Sequence, residues 1–199
     1  MWLPTNPART SMHCNAPQAR AKVRCEMNLK TVLLEINAME ADGVIDRYAI
    51  GGAVGATFYL EPVATLDVDI FISFHAQPES LLISPQPVFD YLTGRGARTE
   101  GEYLIIADWP VQFLPPTGPL VEEALVEAVE VEVEEVKTRV FTAEHLAAIA
   151  LQTGRPKDKT RLLQFIESGT LSADRFQNIL ERHALAGSWR KFEQQFHES

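Results

Sequence analysis

Cysteine and long apolar runs are both scarce in this chain. Its 199 residues include two cysteines, Cys14 and Cys25, and none after them, so the remaining sequence can build neither a disulfide framework nor a cysteine zinc site. The uncharged apolar stretches fall well short of the 18 or so residues that span a bilayer, and the N-terminal segment lacks the apolar region of a signal peptide. We therefore expect a cytoplasmic protein without a membrane anchor.

Basic residues are also in the minority, with 18 Lys and Arg against 27 Asp and Glu and a net charge of −9. Proteins that coat duplex DNA through bulk charge are usually basic, so we do not expect that class here, although a local basic site is compatible with this total. The hydrophobic content of 46% and charged content of 23% are typical of a globular chain, and this length can bury a sizeable core.

The chain divides into three parts by composition. Residues 1–26 have three prolines, four basic residues and one acidic residue, without a sustained apolar period, which predicts a disordered extension; the alternative is a basic arm that reaches for RNA. Residues 27–141 mix strands and helices, and residues 142–199 are helical. The predicted fold class is therefore α+β: a small mixed sheet with flanking helices, followed by a C-terminal helical bundle.

Apolar periodicity places the individual elements. The predicted strands are 48–50, 66–74, 102–107, 111–114, 126–133 and 136–141. The predicted helices are 29–39, 53–60, 88–94, a turn at 120–125, and then 143–153, 157–167, 172–183 and 188–196, with a loop over 75–87. The strand 126–133 alternates valine with glutamate, which is typical of a solvated edge strand.

Two short motifs carry most of the chemistry. A strand ends in Gly51 and Gly52 before a helix, an arrangement that lets a phosphate approach bare backbone N–H groups. Asp67 and Asp69 lie two residues apart on one strand and so share a face, about 6.5–7 Å apart. Two such carboxylates repel each other unless a cation lies between them, and Mg²⁺ (or Mn²⁺) is the usual partner. The alternative is a plain turn beside solvent-facing aspartates.

The order of strand, Gly-Gly, short helix, Thr65 and Asp-Val-Asp resembles the active-site signature of the nucleotidyltransferase superfamily, which has the polymerase-β-like fold. This resemblance implies that Gly51, Gly52 and Thr65 bind a nucleoside triphosphate (NTP). It also implies that Asp67 and Asp69 are catalytic and hold the metal for in-line attack on the α-phosphate.

The superfamily usually adds a third carboxylate on a neighbouring strand, where this chain has Gln112. An amide oxygen can coordinate or accept a hydrogen bond, but it supplies no charge and cannot act as a general base. Asp108 and Glu102 are the nearest carboxylates in sequence. Two alternatives follow: weakened chemistry with one metal, or nucleotide binding without transfer.

A second motif begins with Gly154 and includes Arg155, Lys157 and Asp158. It resembles the abortive-infection-type toxin branch of the superfamily, which implies that Arg155 and Lys157 bind phosphates while Asp158 orients them or caps the helix. The alternative is an exposed, charged helix start. The branch often has an acidic residue where this chain has Arg161.

The sequence therefore supports two functional hypotheses. The first is transfer of a nucleotidyl group to a hydroxyl on RNA, a protein or a small molecule; for an RNA acceptor, a local basic patch would come from Arg155, Lys157, Lys159 and Arg161. The second is a nucleotide-binding or regulatory module with a protein partner, similar to an antitoxin, and Gln112 favours it.

Overall fold

The computed structural model describes residues 16–62, 65, 67–74 and 84–197, with side chains from residue 29 to 195 within those ranges. The helices are α1 (Ala16–Ala41), α2 (Gly52–Ala56), α3 (Gln86–Gly94), α4 (Pro119–Val126), α5 (Ala143–Thr153), α6 (Pro156–Ser168), α7 (Ala173–Arg182) and α8 (Ala186–His197). The strands are β1 (Arg47–Ile50), β2 (Val68–Ser73), β3 (Arg98–Glu100), β4 (Tyr103–Ile106), β5 (Trp109–Leu114), β6 (Val129–Val133) and β7 (Val136–Val140).

The described strands form one mixed sheet in the order β3-β4-β5-β2-β1-β7-β6. The pairs β2/β5 and β1/β7 are parallel, and the other neighbours are antiparallel. Four helices, α5 to α8, follow the last strand. The predicted fold class, a mixed sheet followed by C-terminal helices, is confirmed.

The core consists of two apolar clusters. One joins the sheet to α1 and α3; on α1 its members Val32, Leu33, Ile36 and Met39 are fully buried, and their 1-3-3 spacing is the helical period that predicted this element. The other joins the sheet to the C-terminal helices around Phe141 and Phe165. Phe141, Leu146 and Val121 of this second cluster also line a cleft on this side of the sheet.

Helix α1 begins at Ala16 and so passes through the predicted boundary between residues 26 and 27 without a break. Residues 1–15 lie outside the described residues, and the division of the chain into three parts stays a prediction. Most of the loop predicted over 75–87, and Leu66 of the predicted strand 66–74, also lie outside them. No described helix is both long and apolar enough to cross a membrane.

Several elements differ from the prediction. Helix α2 ends at Ala56 instead of 60, because Thr57, Phe58 and Tyr59 donate to carbonyls three residues back, the tighter pattern of a helix end. Helix α4 extends through Val126, so β6 begins three residues later than predicted. Strand β3 was not predicted, because its three residues are all exposed and show no alternation. Strand β6 is at the edge of the sheet, as expected.

Candidate active site

The Gly-Gly turn and the two aspartates meet at one end of the sheet. The Gly51 N–H donates to the carbonyl oxygen of Asp69 at 3.0 Å, continuing the β1/β2 ladder by one residue. Asp67 immediately precedes β2, and Asp69 is its second residue. Side chains two apart on an extended chain share a face, and Asp67 and Asp69 line the same cleft.

Gly52 makes room for the Asp69 carboxylate. A Cβ built at this position would lie 1.7 Å from Oδ2 of Asp69, far inside van der Waals contact. The backbone φ of Gly52 is +55°, in the region that disfavours other residues. Both facts require glycine here, and they place the carboxylate oxygen directly against the turn.

The strand register lays out a row of side chains beside Asp69. The parallel pairing of β2 and β5 sets Gln112 opposite Asp69, so Gln112 occupies the neighbouring position that the superfamily resemblance assigns to a third carboxylate. The β4/β5 register then places Tyr103 beside Gln112, and Glu100 pairs with Tyr103. Since paired residues point to the same face, the row Asp69, Gln112, Tyr103 and Glu100 runs along the cleft at about 4.8 Å per strand.

A cleft of about 1270 Å³ covers this row. Every sequence-predicted site residue except Gly51 lines it: Gly52, Thr65, Asp67, Asp69, Gln112, Arg155, Lys157 and Asp158. The Thr65 hydroxyl lies 3.2 Å from both Oδ1 and the backbone carbonyl oxygen of Asp67 and donates to one of them. The bond to Oδ1 would orient the Asp67 carboxylate. The two sequence motifs, about 90 residues apart, thus face one cavity.

One side of the cleft is basic, and we call it the helical wall (Arg155, Lys157, Arg161). Gly154, in the left-handed conformation, caps the C-terminus of α5, and Pro156 begins α6 two residues later. This tight connection points the first turns of α6 toward the aspartates. Asp158 is 2% exposed, and it accepts from Nε of Arg155 at 2.6 Å while lying 3.5 Å from Nη1 of Arg161.

The side formed by the β3–β4 hairpin is acidic, and we call it the hairpin wall (Glu100, Glu102, Tyr103). All three residues line the cleft, and both glutamates are exposed. The pKa of the Tyr103 hydroxyl is raised, first by desolvation and then by the negative charges of Asp67 and Glu102. The two glutamates therefore make the electrostatic potential at this wall negative.

The aspartates are suited to a divalent cation. Burial raises the pKa of Asp69, and the charge of Asp67 raises it further, while Lys157, Arg161 and Arg155 act in the opposite direction. A cation between the carboxylates would remove the repulsion that raises this pKa. Two carboxylates and the amide oxygen of Gln112 are oxygen ligands of the kind that Mg²⁺ prefers, so the residues present fit the predicted metal.

The structure also places the other residues that the sequence analysis named near the site. Asp108 is 70% exposed and lies 3.7 Å from Arg98, outside the cleft, whereas Glu102 lines it. Lys159 donates to Gln195 of α8 at 3.4 Å and does not line the cleft, whereas the other three residues of the predicted basic patch do. Sequence reasoning missed Tyr103 and Glu100, because no local pattern reveals which strands become neighbours.

A second group of titratable residues lies outside the cleft. Oxygen and nitrogen atoms of Glu123, Glu127 and His145 lie within 4.8 Å of one another. Arg182 and His183 bind Glu123, and Arg175 lies 3.9 Å from Glu127. Because cationic side chains already neutralise these carboxylates, this cluster is an ion-pair network joining α4, α5 and α7.

Comparison with known proteins supports the fold. No protein-family model matches the chain, and no curated protein does. The solution structure of the antibiotic-resistance factor ANT(2″)-Ia matches with 15% identity and a TM-score of 0.50, over 86% of this chain and 98% of that one. A crystal structure of an antigenic nucleotidyltransferase-like protein from Paracoccidioides brasiliensis matches with 17% identity and a TM-score of 0.52, over 82% and 92%.

A crystal structure of ANT(2″)-Ia in complex with adenylyl-2″-tobramycin is 16% identical, covers 80% of this chain and 97% of that one, and has a TM-score of 0.49. At these identities the likeness concerns the fold. The chain has the nucleotidyltransferase fold, as its motifs predicted. The resemblance to abortive-infection-type toxins, a particular branch, stays a prediction.

Proposed function

We propose that the chain binds an NTP with Mg²⁺ or Mn²⁺ and transfers its nucleotidyl group to an acceptor hydroxyl. The observation that carries this proposal is the Asp69 carboxylate packed against Gly52, with Asp67 beside it and the helical wall lining the same cleft. The hydroxyl oxygen attacks the α-phosphorus, the bond from that phosphorus to the bridging oxygen breaks, pyrophosphate leaves, and the hydroxyl proton goes to solvent.

The residues divide the work by charge. Gly52 and Thr65 border the phosphates, Gly51 fixes the turn by donating its N–H to the Asp69 carbonyl oxygen, and Arg155 and Lys157 neutralise the phosphates. Asp67 and Asp69 would hold the cation, which supplies positive charge to the phosphate oxygens when bound. With Gln112 neutral, we propose that two carboxylates hold a single divalent ion, and that Gln112 hydrogen-bonds the acceptor without taking its proton.

The acceptor is constrained by the hairpin wall. Glu100 and Glu102 extend the cleft away from the helical wall, so a phosphate backbone lying there would be repelled. These charges favour a small hydroxyl compound with amino groups over RNA or an acidic protein surface. RNA and protein acceptors remain outcomes of the transfer assay below. The predicted cytoplasmic location stays a prediction.

A second candidate function is a nucleotide-binding or regulatory module without transfer, similar to an antitoxin with a protein partner. Gln112 favours it, because the residue beside Asp69 carries no charge. Such a module would bind nucleotide with little dependence on metal, and a neutral residue at Asp69 would change that binding little.

One experiment separates the two functions. The thermal stability of the full chain is measured against a panel of NTPs with and without Mg²⁺ or Mn²⁺, since a ligand that binds the native state raises Tm. Labelled NTPs are then tested for transfer to RNA, protein and amino-bearing hydroxyl compounds. We expect metal-dependent stabilisation that Asp69→Asn abolishes and that Asp108→Asn, on the exposed turn of the neighbouring hairpin, retains. Stabilisation without metal, kept by Asp69→Asn and without any transfer, would establish the module instead.

A further inference from the structure

The basic residues at the start of α6 do not all face the same way. Arg155, Lys157 and Arg161 line the cleft, whereas Lys159 reaches Gln195 on α8. Residues 157 and 161 are one helical turn apart and so share a face, while Lys159 lies on the opposite side of the helix. The position of a basic side chain on α6, and not its charge alone, therefore determines whether it lines the cleft.

Asp158 divides its carboxylate between two arginines. Its Oδ2 accepts from Arg155, and its Oδ1 lies near Arg161, so one buried negative charge faces two positive charges. The net charge of these three side chains is therefore positive. A carboxylate this deeply buried requires its cationic partners, so Asp158 keeps both guanidinium groups close to it. The arrangement holds the two guanidinium groups at a set separation beside the aspartates.

Arg161 is the more deeply buried of the two arginines. Its side chain is 17% exposed, against 59% for Arg155, so it loses less conformational freedom when a ligand binds. A guanidinium has five N–H donors, and its contact with Asp158 through Nη1 engages only part of that fork. Its charge also reaches Asp69, where it acts together with Lys157.

We infer that Arg161 binds the polyphosphate of the nucleotide and that Asp158 is the positioning residue that holds it there. The inference rests on the proposed function, because it assigns residues within the same cleft. A bidentate guanidinium contact to phosphate oxygens is directional as well as charged, so Arg161 fixes where the polyphosphate lies relative to Asp67 and Asp69.

The test measures binding of inorganic tripolyphosphate to the full chain by calorimetry, with and without Mg²⁺. Arg161→Gln is expected to weaken binding by about 10- to 150-fold, the usual effect of losing a charged hydrogen bond. Lys159→Gln removes the same charge two residues away and is expected to change binding less than 3-fold. Arg161→Lys should recover only part of the loss, because lysine lacks the fork. Unchanged circular dichroism and melting curves establish that the variants fold.

The role of Asp158 is tested by a double-mutant cycle. If Asp158 positions Arg161, Arg161→Gln should cost much less in an Asp158→Asn background than in the wild type, a coupling that a purely structural role would not produce. Full additivity of the two losses overturns the positioning role. Equal losses for Arg161→Gln and Lys159→Gln, or a wild type that binds tripolyphosphate in neither condition, overturn the role of Arg161.

These outcomes are distinguishable from failure of the proposed function. If tripolyphosphate binding depends on Arg161 but no NTP is transferred and Asp69→Asn has no effect, the inference holds and the transfer reaction fails. If transfer occurs with wild-type rates in Arg161→Gln, the reaction holds and the inference fails.

Discussion

The two walls of the cleft differ in charge and in how their side chains are held. The helical wall is positive, and buried Asp158 fixes two of its members, Arg155 and Arg161. The hairpin wall is negative, and its two glutamates are exposed on a hairpin whose strands have three and four residues. Under the proposed function, this difference would orient the two substrates: the helical wall would hold the anionic nucleotide, and the hairpin wall would favour a cationic acceptor.

The largest effect is expected from a substitution at Gly52, which lies against Asp69 between the two walls. In Gly52→Ala the new Cβ would overlap the Asp69 carboxylate, 1.7 Å away, on a backbone with φ of +55°. Either the turn or Asp69 must move, so we expect loss of metal-dependent nucleotide binding and at least a 100-fold fall in transfer rate. Calorimetry and the labelled-NTP assay measure these effects.

Gly43→Ala is the matched control, since Gly43 has φ of +72° and open space around its Cα. It should cost about 1–2 kcal/mol of stability from backbone strain and leave nucleotide binding intact. If Gly52→Ala behaves like Gly43→Ala, the close packing of Asp69 on the turn does not matter to function, and the case for this site is lost.

The motifs around this point could be predicted from sequence because they are local. The alternation around Asp67 and Asp69 predicts one strand with both carboxylates on one face, and a strand running into Gly51 and Gly52 predicts a turn. The superfamily resemblance identified position 112 as the usual place of a third carboxylate, and the structure places Gln112 beside Asp69.

The composition of the walls could not be predicted in the same way. Tyr103 and Glu100 reach the site through the lateral order of strands, which is set by tertiary packing and leaves no periodic signal. From the sequence, Asp158 is an ordinary acidic residue in a first helical turn, where a solvated carboxylate interacts favourably with the helix dipole. Its burial between two arginines depends on how α6 docks on α5.

A smaller effect is expected from neutralising the hairpin wall. In Glu100→Gln/Glu102→Gln the affinity for a cationic acceptor should fall by about 3- to 10-fold, because exposed charges each contribute modestly. The loss should shrink at high salt, where exposed charges are screened. The KM for the acceptor, measured at saturating NTP, reports the change.

Glu132→Gln/Glu134→Gln makes the same change of charge on β6 and the turn after it, at the opposite edge of the sheet, and should leave that KM unchanged. Nucleotide binding should not weaken in either double variant. An unchanged KM in Glu100→Gln/Glu102→Gln, or improved transfer to RNA in both double variants alike, would contradict an acceptor role for the hairpin wall.

The smallest effect is expected at Glu123, whose ion pairs connect α4 to α5 and α7 outside both walls. Glu123 on α4 accepts from Arg182 on α7 and from His145 on α5, and these hydrogen bonds, led by that of Arg182, lower its pKa to about 2 from 4.5. Burial lowers the pKa of His145, so this ring contributes little positive charge at pH 7, while Arg182 and His183 also contact the Glu123 carboxylate. Glu123→Gln should lower Tm by about 2–5 °C at pH 7, since partly exposed charged contacts contribute on the order of 1 kcal/mol and each kcal/mol is about 2–4 °C in a chain of this size.

The effect of Glu123→Gln should depend on pH with a definite sign. A carboxyl whose folded pKa lies below its unfolded value stabilises the fold fully above about pH 4.5, and loses that contribution as the pH falls toward 2. The Tm difference from wild type should therefore be greatest at pH 6–7 and shrink between pH 4.5 and 3. Glu122→Gln, one residue away on the exposed side of α4, should change Tm little at either pH. A Tm difference for Glu123→Gln that is as large at pH 3 as at pH 7 would mean that packing of α4, and not the ion pair with Arg182, holds the helices behind the helical wall.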